Sequence, residues 1–180
     1  MNVTRAFVAV RIPDVVLDAV DRRVAELSVP GRRTTREQLH LTLQFLGDHS
    51  DVDAVVASLD GIEAPRGRAR LGGAGAFPDA KRAQVFWLGL AEGAGVLARI
   101  ASAVAERTAV LGHEADTRPF RPHLTLARCR DATDLRPAIA AVGDDPVGPA
   151  WDVDAITVYE SERLADGARY IERAQILLPV

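Results

Sequence analysis

Two of the four histidines in this 180-residue chain begin the same tetrapeptide, His-Leu-Thr-Leu. One copy starts at His40 and the other at His123. Four histidines give few chances for such a coincidence, so the pattern indicates an internal repeat. Histidine has an unperturbed pKa of about 6.5, which lets it take or give a proton near neutral pH. Two histidines at equivalent places therefore suggest paired acid–base chemistry.

The order of side chains inside each tetrapeptide separates a polar face from an apolar one. On a β-strand, successive side chains point to opposite faces. His40 and Thr42 would then share one face, as would His123 and Thr125, while the leucines of both motifs face the core. If a pseudo-twofold axis relates the two copies, the polar faces can meet in one cleft.

A cleft with two imidazoles and two hydroxyls suits in-line displacement at a phosphodiester. A neutral imidazole accepts the proton of the attacking oxygen, and an imidazolium on the far side protonates the leaving oxygen. Threonine hydroxyls can donate to the non-bridging oxygens, and the developing negative charge calls for fixed cations. Arg121 and Arg128 flank the second motif. Strict alternation points Arg128 away from Thr125, so it reaches the cleft only from a strand end or a bulge.

Hydrophobic periodicity around the motifs predicts one order of elements, occurring twice. The predicted elements, in chain order, are a strand at 4–12, a helix from 14, a motif strand at 39–47, a helix at 50–62 and a strand at 66–77, then a strand at 83–90, a helix at 93–111, a motif strand at 123–129, a helix at 131–142, a loop at 143–149, a strand at 151–160 and a last strand at 169–178.

This order predicts an α+β fold with two lobes, each an antiparallel sheet with helices, related by a pseudo-twofold axis around a central cleft. Because no linker-like stretch separates the halves, we expect a single domain. It would consist of repeats at 4–78 and 83–160 followed by the C-terminal strand.

Composition bounds the partners and the compartment. A net charge of −3 provides no overall basic field, so a polyanion site must be a local arginine cluster. The hydrophobic share of 48% and charged share of 26% are those of an ordinary globular chain. No apolar run approaches 18 residues and no signal-peptide pattern opens the sequence. We therefore expect a cytoplasmic protein.

The remaining polar candidates do not form a metal site. A protein metal site needs three or four ligands with supporting partners, and the motif histidines have no further histidine or cysteine at ligand spacing. We expect neither metal nor cofactor. His49 and His113 are predicted to be solvated loop residues. The single cysteine, Cys129, excludes an intrachain disulfide and is predicted to be a small buried residue.

Aromatic residues near the motifs are candidates for stacking against a base. Phe45, Phe120 and Tyr159 are the ones closest to the motif strands and their predicted partners, although packing in the core is the alternative for each. Phe45 shares the His40 face only if the strand alternation slips. Trp87 and Trp151 are predicted to lie in the core.

Several stretches together match a known family. They are "RAFVAVRIP", "LHLTLQFLG", "AFPDAKRAQVFWLGL", "FRPHLTLAR" and "YESERLADGARY". Over essentially its whole length the chain resembles the two-histidine (2H) phosphoesterases, in particular the LigT-like RNA 2′,3′-cyclic phosphodiesterases. It departs from that family at residues 32–38, "RRTTREQ", where the family often carries a tryptophan.

The resemblance implies a bilobal fold and metal-independent hydrolysis of a 2′,3′-cyclic phosphate to a 2′-phosphomonoester. The reverse reaction would form 2′,5′ linkages between RNA ends. The roles it implies are proton donor for His40, proton acceptor for His123, and phosphate ligands for Thr42 and Thr125.

Substrate and class remain open from the sequence. The partners implied are RNA 3′ ends that carry a 2′,3′-cyclic phosphate, or small cyclic nucleotides, acted on by a monomer. One alternative is a phosphodiesterase for a small cyclic phosphate such as an ADP-ribose cyclic phosphate, which the acidic net charge favours. Another is a non-catalytic RNA- or nucleotide-binding module.

Overall fold

The computed structural model describes residues 5–48, 50–165 and 167–180. Within these residues the chain forms nine strands and four helices and is α+β, as predicted. In chain order they are β1 (Arg5–Val10), α1 (Asp14–Val24), β2 (Arg32–Arg33), a 3₁₀ turn (Arg36–Gln38), β3 (Leu41–Asp48), α2 (Val52–Leu59), β4 (Gly67–Phe77), β5 (Ala83–Glu92), α3 (Ala94–Ala109), β6 (Leu124–Thr133), α4 (Arg136–Val142), β7 (Pro146–Val153), β8 (Ala155–Leu164) and β9 (Gly167–Leu177).

The sheet has two equivalent halves that meet at the motif strands. Its antiparallel path is β7-β4-β5-β6-β3-β1-β8-β9, with β2 added alongside β6. At the centre, β3 and β6 pair at one register position, Leu41 opposite Leu124. Outward from that junction each half has the same order of strand types, with the N-terminal strand of each repeat next to its motif strand. The arrangement is the pseudo-twofold one that the repeat predicts.

The two halves exchange strands. β4 follows the first motif strand in sequence but pairs with β5 in the second half. β8 follows the second motif strand and pairs with β1 in the first half. Each half of the sheet is therefore completed by a strand from the other repeat, which favours folding of the chain as one unit. The division into repeats at 4–78 and 83–160 stays a prediction.

The apolar face of the motifs is buried at the junction. Leu41 and Leu124 are both 0% exposed, which places the two histidine motifs directly on the hydrophobic core. Of the helices, α1 packs against β7 and α3 against β3. Thr108 of α3 donates to the buried Gln44 side chain of β3 at 2.8 Å, so one polar contact lies within that interface.

Some predicted boundaries are wrong. The strand expected at 151–160 is two strands, β7 and β8, and β7 takes up part of the stretch expected to be a loop at 143–149. That stretch is rich in glycine and proline, and Gly148 has a φ of +74°. Such residues are accommodated because β7 is an edge strand, where proline removes no ladder hydrogen bond. The last predicted helix begins at Arg136 instead of 131, because β6 extends to Thr133.

The smaller predictions have mixed outcomes. Cys129 and Trp151 are buried, as predicted, and His113 lies partly exposed in the loop after α3. The prediction for His49 falls outside the described residues. β2 was missed, since two residues show no periodicity. In the described part of the chain, no helix has both the length and the apolar character needed to cross a bilayer.

Candidate active site

Both motif histidines are oriented by the same local hydrogen bond. The Nδ1 atom of His40 lies 2.7 Å from the carbonyl oxygen of Gln38, and Nδ1 of His123 lies 2.7 Å from the carbonyl oxygen of Arg121. A carbonyl can only accept, so Nδ1 carries the hydrogen in each ring. Each imidazole therefore keeps Nε2 as the atom that can take up a proton. Nε2 of His40 is 2.9 Å from the Thr42 hydroxyl.

The segment before His40 holds the Gln38 carbonyl in place. Thr35 and Gln38 form a reciprocal capping box around the 3₁₀ turn, and the Gln38 amide donates to the Ala168 carbonyl at 2.5 Å. Arg36 ties the same turn to α1 through ion pairs with the three carboxylates Asp14, Asp18 and Asp21. The polar sequence "RRTTREQ" thus forms an ordered support for the first imidazole.

The central strand pair brings the two motifs side by side on one face of the sheet. Continuing the antiparallel register beyond Leu41 and Leu124 places His40 across from Thr125, and Thr42 across from His123. All four polar side chains are partly buried. The charge of His123 lowers the pKa of His40, so the two rings lie within electrostatic reach of one another.

An aromatic wall surrounds the first imidazole. Phe7 stacks on His40 with ring centroids 4.7 Å apart, and Tyr170 meets it edge-on at 5.3 Å. Tyr159 stacks on Phe7 at 5.1 Å and lies 6.2 Å from His40. Sequence reasoning found Tyr159 but missed Phe7 and Tyr170. Phe7 looked like an ordinary strand residue, and Tyr170 comes from the far end of the chain.

The second imidazole has a matching wall. Phe77 meets His123 edge-on at 5.0 Å, and the centroid of Trp87 lies 6.0 Å from that of His123. Trp87 is therefore at the site and only partly buried, which corrects its prediction as a core residue. A Cβ on Gly75 would come within 2.3 Å of the indole, so the glycine makes room for this ring.

A β-bulge turns Arg128 toward the site. On β5, Val85 and Trp87 are two residues apart and share a face. Their partners on β6 are Arg128 and Thr125, which are three residues apart. β6 therefore carries one extra residue, and Arg128 projects from the same face as Thr125. The opposite orientation expected from strict alternation is wrong, for the reason that β-bulges re-aim side chains.

The first motif strand carries a bulge at the equivalent place. Phe7 and Ala9 of β1 pair with Phe45 and Thr42 of β3. The alternation thus slips, and Phe45 joins the Thr42 face, 67% exposed, with its ring 6.0 Å from that of Phe7. Phe45 and Arg128 both lie five residues after the motif histidine. The equivalent bulge positions therefore add an exposed aromatic ring, Phe45, from the first motif strand and a cation, Arg128, from the second.

Two other candidates have a more limited place in the geometry. The Arg121 carbonyl orients His123, while its side chain is exposed. Phe120 packs against the hydrophobic core, and none of the ring contacts made by the two histidines in the described part of the chain involves it.

Burial sets the protonation state of both imidazoles. Burial, together with the smaller effects of the charges on His123 and Arg128, lowers the pKa of His40 to about 4 against the opposing effect of the Gln38 bond. Burial also lowers the pKa of His123, and Arg128 adds to that effect. Both rings are thus neutral at pH 7 in the free protein. An anion between them would favour the protonated form and raise the pKa values.

The pKa of His40 is therefore expected to rise when an anion binds. Imidazole NMR titrations without and with saturating sulfate should show His40 neutral down to about pH 4 in the free protein and protonated at higher pH in the complex. Arg128→Gln should raise the pKa of both rings in the free protein by removing a positive charge. His40 titration that is indifferent to sulfate would contradict an anion site between the motifs.

Metal ligation has no support from the described residues. Across 5–48, 50–165 and 167–180, no group of three or more His, Cys, Asp or Glu side chains is placed so that it could hold a metal ion. The two imidazoles instead have aromatic neighbours, and the Thr42 hydroxyl lies next to Nε2 of His40. This donor set suits an oxyanion.

Comparison with known proteins places the chain in a family. The model of the 2′-5′ RNA ligase superfamily matches residues 12–165. The chain belongs to this superfamily. Both histidine motifs lie inside the matched range, and the resemblance to the 2H phosphoesterases expected from the sequence is confirmed.

Individual members of the 2′-5′ RNA ligase superfamily are similar over most of their length. The RNA 2′,3′-cyclic phosphodiesterase of Aeropyrum pernix is 35% identical over 153 residues, which are 82% of this chain and 86% of that protein. The RNA 2′,3′-cyclic phosphodiesterase of Escherichia coli is 31% identical over 172 residues, 92% of each chain. The crystal structure of apo E. coli LigT matches with a TM-score of 0.80 at 27% identity over 100% of both chains.

Proposed function

We propose that this protein hydrolyses 2′,3′-cyclic phosphodiesters at RNA 3′ ends, or in cyclic nucleotides, to 2′-phosphomonoesters. The observation that carries the proposal is the pair of imidazoles, each held by Nδ1 so that Nε2 remains for proton transfer, on one face of the central strands. The activity named for the relatives from A. pernix and E. coli supports it.

The proposed reaction needs one proton acceptor and one proton donor. His123 Nε2 takes a proton from water as the water oxygen attacks phosphorus. The P–O3′ bond breaks, and protonated His40 gives its proton to O3′, so the phosphate stays on O2′. Thr42 and Thr125 donate to the non-bridging oxygens. In the ligation reaction, the 5′-hydroxyl of a second RNA end would take the place of water, attack the cyclic phosphate and displace O3′, which leaves a 2′,5′ linkage.

The donor must gain its proton together with the substrate. In the free protein the pKa of His40 is about 4, so only a small fraction of His40 is protonated at neutral pH. The anionic phosphate raises that pKa when it lies between the motifs. Burial, with a smaller contribution from Arg128, keeps the pKa of His123 low and so favours its neutral form, which suits a base.

The rest of the cleft offers substrate contacts on two sides. The exposed Phe45 ring provides a stacking surface for a base next to His40. Arg128 provides positive charge next to His123. Tyr159 acts through Phe7 as part of the aromatic wall, and Arg121 and Phe120 are further candidates at the rim. We propose that the protein works as a cytoplasmic monomer without metal or cofactor.

The test is a product analysis under chelation. Purified protein is dialysed against EDTA and incubated with a nucleoside 2′,3′-cyclic phosphate, an RNA with a cyclic end, and an ADP-ribose cyclic phosphate. Phosphorus NMR should show the 2′-monophosphate as the main product, at a rate that EDTA does not change. A protein lacking both histidines serves as the control.

Three results would each oppose a different part of the proposal. A 3′-monophosphate as main product would contradict cleavage of P–O3′. A rate lost on chelation and restored by zinc would replace the imidazole base with metal-activated water. Binding without turnover of any substrate would leave a nucleotide-binding module.

A further inference from the structure

A second arginine lies beside Arg128 on the cleft face. In the short pairing of β2 with β6, Arg32 is directly opposite Arg128, and Arg33 is opposite Ala127. Residues directly opposite one another on antiparallel strands project from the same face. Because the bulge puts Arg128 on the face of Thr125, Arg32 also projects from the face that carries the motifs.

The neighbouring arginine has a different role. Arg33 projects from the other face, and its guanidinium donates to the carbonyl oxygens of Val24 and Leu27 at the end of α1. It therefore holds the chain that leads from α1 into β2. The two adjacent arginines can be distinguished by experiment, since one supports the fold and the other faces the cleft.

The fold makes room for the Arg32 guanidinium. Gly167, at the start of β9, has a φ of +143°, and a Cβ there would come within 1.9 Å of Arg32 Nη2. Any other residue at this position would displace the guanidinium.

The position of the pair suits a second phosphate. Val85 and Trp87 are two residues apart on β5, which corresponds to a distance of roughly 7 Å along the strand. Arg128, the partner of Val85, therefore lies roughly one such step along the sheet from Thr125, the partner of Trp87. That offset leaves the threonines for the scissile phosphate. Two arginines on the same face, one step further along the sheet, match a neighbouring phosphodiester, which arginine binds with paired N–H donors.

We propose that Arg32 and Arg128 bind the phosphodiester on the 5′ side of the nucleotide that carries the cyclic phosphate. This inference rests on the proposed function and specifies its substrate class as an oligonucleotide end instead of a mononucleotide. It also explains how a chain with a net charge of −3 can bind a polyanion, through a local pair of cations.

The ratio of two specificity constants tests the inference. We would measure kcat/KM for adenosine 2′,3′-cyclic phosphate and for the dinucleotide that ends in the same cyclic nucleotide. The wild-type protein should favour the dinucleotide roughly tenfold or more, and Arg32→Gln should remove most of that preference, mainly through KM, as expected for a lost hydrogen bond to a charged group. Arg32→Lys should retain part of it. Arg33→Gln is the matched control and should keep the wild-type ratio.

Salt dependence gives an independent reading. The plot of log(kcat/KM) against log[salt] should be steeper for the dinucleotide by about 0.7 in the wild-type protein, as expected for one further phosphate contact on a single strand. Arg32→Gln should bring the two slopes together. A mononucleotide cyclic phosphate with an added 5′-phosphate provides another arm. If kcat/KM rises above that of the unmodified mononucleotide for this compound but not for the dinucleotide, the assignment to a phosphodiester would be overturned.

Other outcomes are equally decisive. An unchanged ratio in Arg32→Gln, or equal losses for both substrates, would overturn the inference. If the wild-type protein turns over neither substrate, the proposed function fails first. The affinities of the wild-type and Arg32→Gln proteins for the 2′-phosphorylated mononucleotide and dinucleotide then provide the same comparison without turnover.

Discussion

Replacing either motif histidine with alanine is expected to lower kcat about 10²–10⁴-fold, since general acid or base help contributes that much per group. His40 and His123 each present Nε2 to the same face, so neither can take over the role of the other. Steady-state kinetics with a nucleoside 2′,3′-cyclic phosphate measures the loss. His113→Ala is the control, since that histidine lies in the loop after α3.

The double variant tests whether the two imidazoles act together. Groups that serve one transition state are not additive, so removing both histidines should cost less than the product of the two single losses. Losses that multiply fully would indicate two independent contributions, and a single variant with near wild-type kcat would exclude that histidine from proton transfer.

Replacing a motif threonine with valine is expected to lower kcat/KM roughly ten- to a hundredfold, because a hydrogen bond to a charged group contributes about 1.5–3 kcal/mol. Valine keeps the shape of threonine and removes the hydroxyl. Thr42→Val also removes the 2.9 Å contact with Nε2 of His40, so its pH profile should shift, while that of Thr125→Val should not. Thr133→Val, at the end of β6, is the control.

Two outcomes would contradict the assignment of Thr42 and Thr125 as phosphate ligands. Wild-type kinetics in both valine variants would mean that the hydroxyls do not contact phosphate. A loss confined to Thr42→Val, together with a changed His40 titration, would mean that the hydroxyl acts on the imidazole alone.

The sequence predicted the central junction because that junction depends on local patterning. Alternation along the repeated tetrapeptide buries Leu41 and Leu124 and places each histidine on the same face of its strand as the threonine two residues later. The helices were predictable for the same reason, since α3 buries Leu97, Ile100 and Val104 at helical spacing. Repetition then indicated that two such faces would meet.

The bulges could not be predicted from the pattern of polar and apolar residues along a single strand. A bulge is defined by the strand alongside it, and the extra residues in β3 and β6 can be recognised only against β1 and β5. Phe45 and Arg128 reach the cleft through those bulges. Trp87 was misassigned because its neighbour Gly75 comes from β4, a strand whose pairing with β5 the sequence did not reveal.

Only Tyr159 of the aromatic wall of His40 was predicted from the sequence, and Tyr170 was missed for a related reason. Tyr159 and Tyr170 come from the β8–β9 hairpin, which pairs with β1 at the opposite end of the sequence. The boundary between β7 and β8 was also hidden, since a single residue, Asp154, separates the two strands.

A substrate whose leaving group needs no proton tests the division of labour between the histidines most directly. The oxygen that departs is replaced by a good leaving group, and kcat/KM is measured for wild type, His40→Ala and His123→Ala. Our account predicts that His40→Ala recovers most of its rate with this substrate, because its proton is no longer required, while His123→Ala stays impaired because water still needs a base. Recovery in His123→Ala instead would reverse the roles, and recovery in neither variant would contradict proton transfer by the paired imidazoles.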